Sequence, residues 1–338
     1  MPPTQGDGSD SSENGTALVS GRRALLAGGF LWLAGCAPFA PESVRGRDTL
    51  RSPRLVFGEP GEHPGRLRMP RSIDFSPDNR ELYVMDRTHR VQVFDRTGRY
   101  LRGWKTPIPP NIPSTVSNPR AVCVAPDGRV WVADTHNGQV LVYEPDGRLL
   151  RTIGRPGRKI GEFAAVTGVA LDAEGNLWTC QYGDDLDRIQ KFDPSGRVLL
   201  AVGRRGTRPG EFERPQGIAV GPQGHVYVAD AVNHRIQVFD GADGRWLACW
   251  TRGGDAPPEL RFPYDVATDQ RGRVYVAEYG HCRITVFDPA GAWVTGWGRP
   301  GRAPGEFDQP WGVAVDRTEN VWVADTQNYR IQQFAPIG

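Results

Sequence analysis

Six residues recur at one place in a long repeat. Arg71, Arg120, Thr167, Gln216, Tyr264 and Trp311 follow each other at intervals of 47–49 residues, each just before a short apolar run. In five of the six a proline stands beside them. Two guanidiniums, two aromatic rings, an amide and a hydroxyl could hold an anionic or polar ligand, provided that symmetry brings them into one ring. Their variety carries the argument, because a purely structural position repeats its residue type from copy to copy. Drift at a solvent-filled mouth is the competing explanation.

The elements that would position this ring are legible from the repeat itself. Phe94, Tyr143, Phe192, Phe239, Phe287 and Phe334 close six equivalent segments. In each, a Gly/Pro/Arg-rich loop leads to a short apolar run such as Gly217–Val220. A tight turn follows, then a Val-Tyr-Val-Ala-Asp run (Val226–Asp230), a polar loop, and Arg-Ile-Gln-Val-Phe (Arg235–Phe239). A second turn, Asp193–Gly196 or Asp288–Gly291, opens a fourth run such as Trp293–Gly298. Four short runs with Gly, Pro and Asp at the corners predict a four-stranded antiparallel meander.

One such sheet cannot bury both faces, whereas six set radially cover one another. The expected fold is therefore all-β, a six-bladed β-propeller occupying 53–338. Its closure is also predictable. Five fourth runs follow a repeat, and none follows the sixth. The matching run stands before the first repeat, at Arg54–Gly58, so this N-terminal strand (54–58) is expected to join the last blade and close the ring.

These units resemble NHL repeats, whose namesake motif reads Asn-His-Arg-Ile at Asn233–Ile236. All six copies resemble the family, over roughly 53 to 338, and the resemblance implies a six-bladed propeller of the kind found in binding proteins and in some enzymes. The third copy departs from it, with Thr179, Cys180 and Gln181 in place of Val-Ala-Asp and a longer loop carrying Asp184, Asp185 and Asp187. The Asp and Arg that recur as Asp86/Arg90, Asp230/Arg235, Glu278/Arg283 and Asp325/Arg330 are expected to be structural ion pairs at strand ends.

The N-terminal region carries different information. Residues 1 to about 20 are polar and too poor in apolar side chains to fold. Arg22 and Arg23 then precede an apolar run, Ala24–Ala34, of about 11 residues, too short to span a bilayer core of about 30 Å as a helix. A charged start, a short apolar centre and small residues describe an export signal over 1–35. The paired arginines resemble a twin-arginine signal, although Gly21 stands where Ser or Thr is usual. Leu33-Ala34-Gly35-Cys36 resembles the lipobox of bacterial lipoproteins, which implies lipidation of Cys36 and a tether over 36–52. The expected location is the periplasmic side of the bacterial cell envelope, anchored to a membrane.

Function is bounded rather than named. The loops entering the inner strands collect Arg66, Arg68, Arg71, Arg155, Arg158, Lys159, Arg204, Arg205, Arg208, Arg214, Arg299 and Arg302, which predicts a basic top face over a more acidic underside. Such a face suits an acidic protein partner, an anionic glycan or lipid head groups, with solvated loop charges that have no partner as the competing explanation. Nucleic acid is not expected, because export removes the chain from it. No cofactor or metal is expected: catalytic zinc takes about three converging His or carboxylate ligands, and His63, His89, His136, His225, His234 and His281 occupy unrelated phases of the repeat. A Gly-x-Ser-x-Gly elbow is absent from the sequence. Cys123, Cys180, Cys249 and Cys282 lie in different repeats, mainly as expected free thiols. The reading is a non-catalytic binding or scaffold subunit of a membrane-associated complex. A channel-site hydrolase or lyase using a metal, lactonase-like or amidating-lyase-like, is the alternative.

Overall fold

The computed structural model describes residues 50–108, 119–251 and 259–338. Cys36, Arg22, Arg23 and most of the expected tether lie outside them. The described chain forms six four-stranded antiparallel sheets. A single 3₁₀ turn, Thr135–Asn137, is the only helical element among the described residues.

The inner strands, Pro70–Phe75, Ala121–Val124, Ala165–Leu171, Pro215–Val220, Pro263–Thr268 and Gly312–Val315, begin blades one to six respectively. Blades one to five run inner to outer in chain order. Blade six takes its outer strand from the start of the described chain. Leu55–Phe57 pairs antiparallel with Arg330–Phe334 in the register Leu55↔Gln333 to Phe57↔Ile331. The Arg54 N–H extends this ladder by donating to the Gln333 carbonyl at 2.7 Å. The strand is a little shorter than 54–58 because Gly58 already turns, at φ 111°.

Packing follows the radial logic. Six buried apolar clusters form, one between each pair of neighbouring blades. In the cluster joining blades five and six, Tyr275, Ile284 and Trp297 meet Val323 and Phe334, so each blade's faces are covered by its neighbours.

The expected Asp–Arg pairs all form, and their purpose is to hold the top loops. In blade four, Arg235 donates from Nε to Asp230 at 2.7 Å and from its two other nitrogens to the carbonyls of Thr207, Arg208 and Glu211. Gln237 completes the clamp, donating to the Glu211 carbonyl at 2.7 Å and accepting the Gly210 N–H at 2.9 Å. Asp325, Arg330 and Gln332 repeat the arrangement in blade six. Blades two and three split the pair between them. Blade two has Asp134 served by Asn137 and Gln139, with no arginine, while in blade three Arg188 faces Gln181 rather than an acid.

The top face is less basic than the arginine count predicts. Arg155, Arg204 and Arg299 each pair with the glutamate seven residues further along their own loop, Glu162, Glu211 and Glu306, at 2.7–2.9 Å. Arg66 pairs with Glu59, and the third copy's extra acids, Asp184 and Asp185, take Arg158 and Arg205. A glutamate is built into the loop motif to offset its arginine.

Candidate functional site

All six repeat-related residues line one cavity of about 210 Å³ on the propeller axis. They stand at its upper layer. Below them the lining descends strand by strand in registered layers: a small-residue layer, an apolar layer of Ile73, Val122, Val169, Ile218, Val266 and Val313, and then Asp74, Cys123 and alanines. The small layer has a steric cause. A Cβ at Gly217 would stand 2.7 Å from the Asp265 Cα, and one at Gly312 would stand 2.5 Å from the Arg71 carbonyl oxygen. At these glycines neighbouring inner strands approach too closely for a side chain, whereas blades one and two carry the small Ser72 and Ala121. Blade five alone breaks this pattern, with Asp265.

The six are not equivalent in what they offer. Thr167 is spent on structure, its hydroxyl donating to the Pro215 carbonyl at 2.8 Å and touching the Cys180 sulfur at 3.3 Å. Gln216 positions Arg120, accepting from its Nη1 at 2.9 Å. Tyr264 stacks on Tyr279 with centroids 4.4 Å apart and meets Trp311 edge-on at 4.7 Å.

The two arginines carry the site's electrostatics. Arg71 lies over the Trp311 ring at 4.8 Å, and Arg120 lies between Trp311 at 5.7 Å and Tyr182 at 5.5 Å. Arg214 covers Tyr182 at 5.0 Å. Cations and aromatic rings therefore alternate across the mouth as Arg71, Trp311, Arg120, Tyr182, Arg214. Arg71 and Arg120 are only 7% and 5% exposed. Nε and Nη1 of Arg71 and Nε of Arg120 are buried without a hydrogen-bond partner among the described residues. Burial, with the nearby positive charge of Arg120, pulls the Arg71 guanidinium down to about 9. Burial raises the Tyr182 phenol, but Arg120 and Arg214 outweigh it and hold the group below its ordinary value.

Below the ring sit two carboxyls, Asp265 in the small-residue layer and Asp74 beneath the apolar one. Asp74 accepts the N–H groups of Phe75 at 2.8 Å and Val124 at 2.7 Å, and Asp265 those of Val266 at 2.9 Å and Val313 at 3.1 Å. Each thus satisfies an exposed amide on the next blade's inner strand. Burial pushes Asp74 up to about 6 and Asp265 up to about 7. Burial, then the charge of Asp74, raises the Cys123 thiol well above its usual value.

Asp265 has a consequence for stability. Its carboxyl titrates near the ordinary 3.8 when unfolded and about 7 when folded, so the folded chain binds the extra proton between those values. Its contribution is greatest below pH about 4 and is lost as pH rises through about 7. Thermal melts between pH 5 and pH 8 should show stability falling with pH, and Asp265→Asn should flatten that slope. A slope unchanged by the substitution would contradict the burial of a proton-binding carboxyl.

Tyr182, Tyr279, Asp74 and Asp265 carry no signal in the repeat itself, and Arg214 is expected there only as a loop charge of the top face. Tyr182 lies directly after the segment where the third copy departs from its pattern. The two aspartates were visible as charges inside runs that otherwise carry little charge. None of the six histidines lines the cavity. The four described cysteines are free, with Cys180 and Cys282 buried and Cys123 and Cys249 partly so.

The fold is a six-bladed β-propeller, and part of the chain matches two known families. Residues 212–239, 260–287 and 307–334 match the NHL repeat, and residues 62–165 match the SMP-30/Gluconolactonase/LRE-like region. Over 181 residues the chain is 28% identical to NHL repeat-containing protein 3 of Homo sapiens, covering 49% of each protein. It is 24% identical over 103 residues to Protein brain tumor of Drosophila melanogaster, covering 30% of this chain and 9% of that protein. The matched stretch thus spans about half of the human relative and under a tenth of the fly one. Among solved structures, virginiamycin B lyase from Staphylococcus aureus is similar with TM-score 0.56 at 15% identity, over 78% of this chain and 80% of that one. Kuenenia stuttgartiensis Hydrazine Synthase is similar with TM-score 0.56 at 15% identity, over 80% and 96%. At such identities the likeness is one of fold.

Proposed function

We propose that this protein is an extracytoplasmic, lipid-tethered propeller that serves as a non-catalytic binding or scaffold subunit of a membrane-associated complex. The tether would be lipid on Cys36, after export directed by Arg22 and Arg23. The partner would meet the top face and reach into the axial mouth. One observation carries the binding reading: two buried guanidiniums keep three N–H groups unpaired at the mouth. Leaving such donors unmatched costs about 1–3 kcal/mol each or more, a cost that a bound partner group would remove.

A second reading, a metal-using hydrolase or lyase in the channel, draws on the match of residues 62–165 to the gluconolactonase-like region. Its carboxylates would be Asp74 and Asp265. Both are already engaged by strand amides, and among the described residues no three His, Cys, Asp or Glu side chains are grouped to hold an ion. The binding reading fits the lining better.

The test is fractionation of cells producing the tagged full chain, followed by gentle solubilisation and purification. The chain should sediment with the envelope, Cys36→Ala should release it, and a companion protein should co-purify with wild type but not with the Arg71→Ala/Arg120→Ala double variant. Recovery from the cytosol, or alone from the envelope, would overturn the proposal. Loss of bound divalent metal together with a hydrolytic activity on chelation would favour the second reading.

A further inference from the structure

We infer that the axial mouth is a site for a single carboxylate group, held between the guanidiniums of Arg71 and Arg120. This rests on the binding reading above and states the chemistry of what that site takes.

The inference starts from the donors. Arg71 presents Nε and Nη1, and Arg120 presents Nε, all buried, all without a partner among the described residues and all in residues that line the cavity. Neither arginine has a salt bridge among the described residues, in contrast to the loop arginines around them, which are matched by Glu162, Glu211 and Glu306. The buried Arg90, Arg235, Arg273 and Arg283 are likewise paired with carboxylates, so Arg71 and Arg120 differ from both groups in holding no counter-anion among the described residues. Burial and mutual repulsion already pull Arg71 down to about 9, a cost that a bound anion would relieve.

Orientation comes from the rings. With Arg71 over Trp311, and Arg120 between Trp311 and Tyr182, both cations are held against aromatic rings while Nε and Nη1 of Arg71 and Nε of Arg120 stay unpaired. Gln216 pins Arg120 further at 2.9 Å. Planar donor edges held in this way match the planar oxygens of a carboxylate.

The deeper lining selects among anions. Asp74 and Asp265 share the same cavity, so a second negative charge on the ligand meets carboxyls that ionise near neutral pH. A monoanionic carboxylate is favoured over a phosphate or sulfate dianion. Beneath the arginines and the small-residue layer the wall is the apolar layer of Val122, Val169 and Val266, which accepts a short hydrocarbon tail. At about 210 Å³ the cavity is smaller than the roughly 300–1,000 Å³ that encloses drug-sized molecules. A short carboxylic acid or the carboxylate of one protein residue fits within it.

The full-length purified chain tests this by calorimetric titration with acetate, butyrate, phosphate and sulfate at matched ionic strength, and with a short peptide bearing a free or an amidated C-terminus. Expected are one-site binding of butyrate, at least tenfold weaker binding of phosphate and sulfate, and a shift of the two arginine Nε–H signals in ¹⁵N NMR spectra. The Arg71→Ala/Arg120→Ala variant should weaken butyrate at least tenfold and melt no lower than wild type. Arg71→Lys, which keeps the charge and loses the planar fork, should weaken it several-fold. Stronger binding of the free-acid peptide than of butyrate identifies a partner's carboxylate as the source, and the reverse identifies a free acid; either supports the inference. Equal affinity for phosphate, or butyrate binding that survives the double variant, overturns it. If no carboxylate binds while a companion protein still depends on Arg71 and Arg120, the carboxylate assignment fails and the binding reading stands.

Discussion

Deleting Pro53–Gly58 should lower the melting temperature of the whole ring by roughly 5–15 °C, because the sixth blade then lacks its outer strand. Leu55 and Phe57 both pack on the cluster between blades six and one, and Phe57 meets Phe94 at 5.2 Å. Two half-buried side chains of this size are worth about 2–4 kcal/mol together, and about 1 kcal/mol moves the melting point of a domain this large by roughly 2–4 °C. The ladder to Arg330–Phe334 is lost as well, together with the Arg54 hydrogen bond to Asn320 at 3.1 Å. The strand Arg330–Phe334 would become an open edge, and such edges invite association between chains. Calorimetry with light scattering reads both effects. A melting point unchanged by the deletion would show that the seam between Arg96 and Asp316 closes the ring without the strand.

Glu278→Ala should cost about 3–5 kcal/mol, the range for breaking a buried ion pair from one side. Glu278 is fully buried and accepts from Arg283 Nε at 2.6 Å, His281 Nδ1 at 2.8 Å, the Arg261 N–H at 2.9 Å and the Thr285 hydroxyl. Burial raises its carboxyl, and His281 and Arg283 outweigh that and hold it below its ordinary value. Blade five also shows how a repeat tolerates drift. Blades four and six pair a short acid with a long amide, Asp230 with Gln237 at 3.1 Å and Asp325 with Gln332 at 3.0 Å. Blade five pairs a long acid with a short hydroxyl, Glu278 with Thr285. Glu278→Asp alone should therefore cost about 1 kcal/mol through the lost Thr285 bond, and Glu278→Asp with Thr285→Gln should recover it. Denaturant unfolding of the four proteins in a double-mutant cycle gives the coupling directly. Additive losses would mean that the two side chains do not compensate.

Much of this protein was determined by its sequence alone. The recurrence of Phe94, Tyr143, Phe192, Phe239, Phe287 and Phe334 implied six blades, the missing fourth run implied closure by 54–58, and the register of Arg71, Arg120, Thr167, Gln216, Tyr264 and Trp311 implied one ring. These follow from chain periodicity, since a strand's side chains alternate faces and a repeat carries each position to the same radius. What the tertiary structure decided is which polar groups are spent. In sequence Thr167 and Arg71 were equal candidates, yet the Thr167 hydroxyl is taken by the Pro215 carbonyl across a blade boundary, while Arg71 keeps buried donors unpaired. The loop arginines looked like an excess of charge until the glutamates seven residues on folded back against them. Tyr182 and Arg214 joined the mouth, and Asp265 the layer just beneath it, through contacts between blades. Hydrogen bonding and burial depend on neighbours brought together from different blades, and no local pattern records who those neighbours will be.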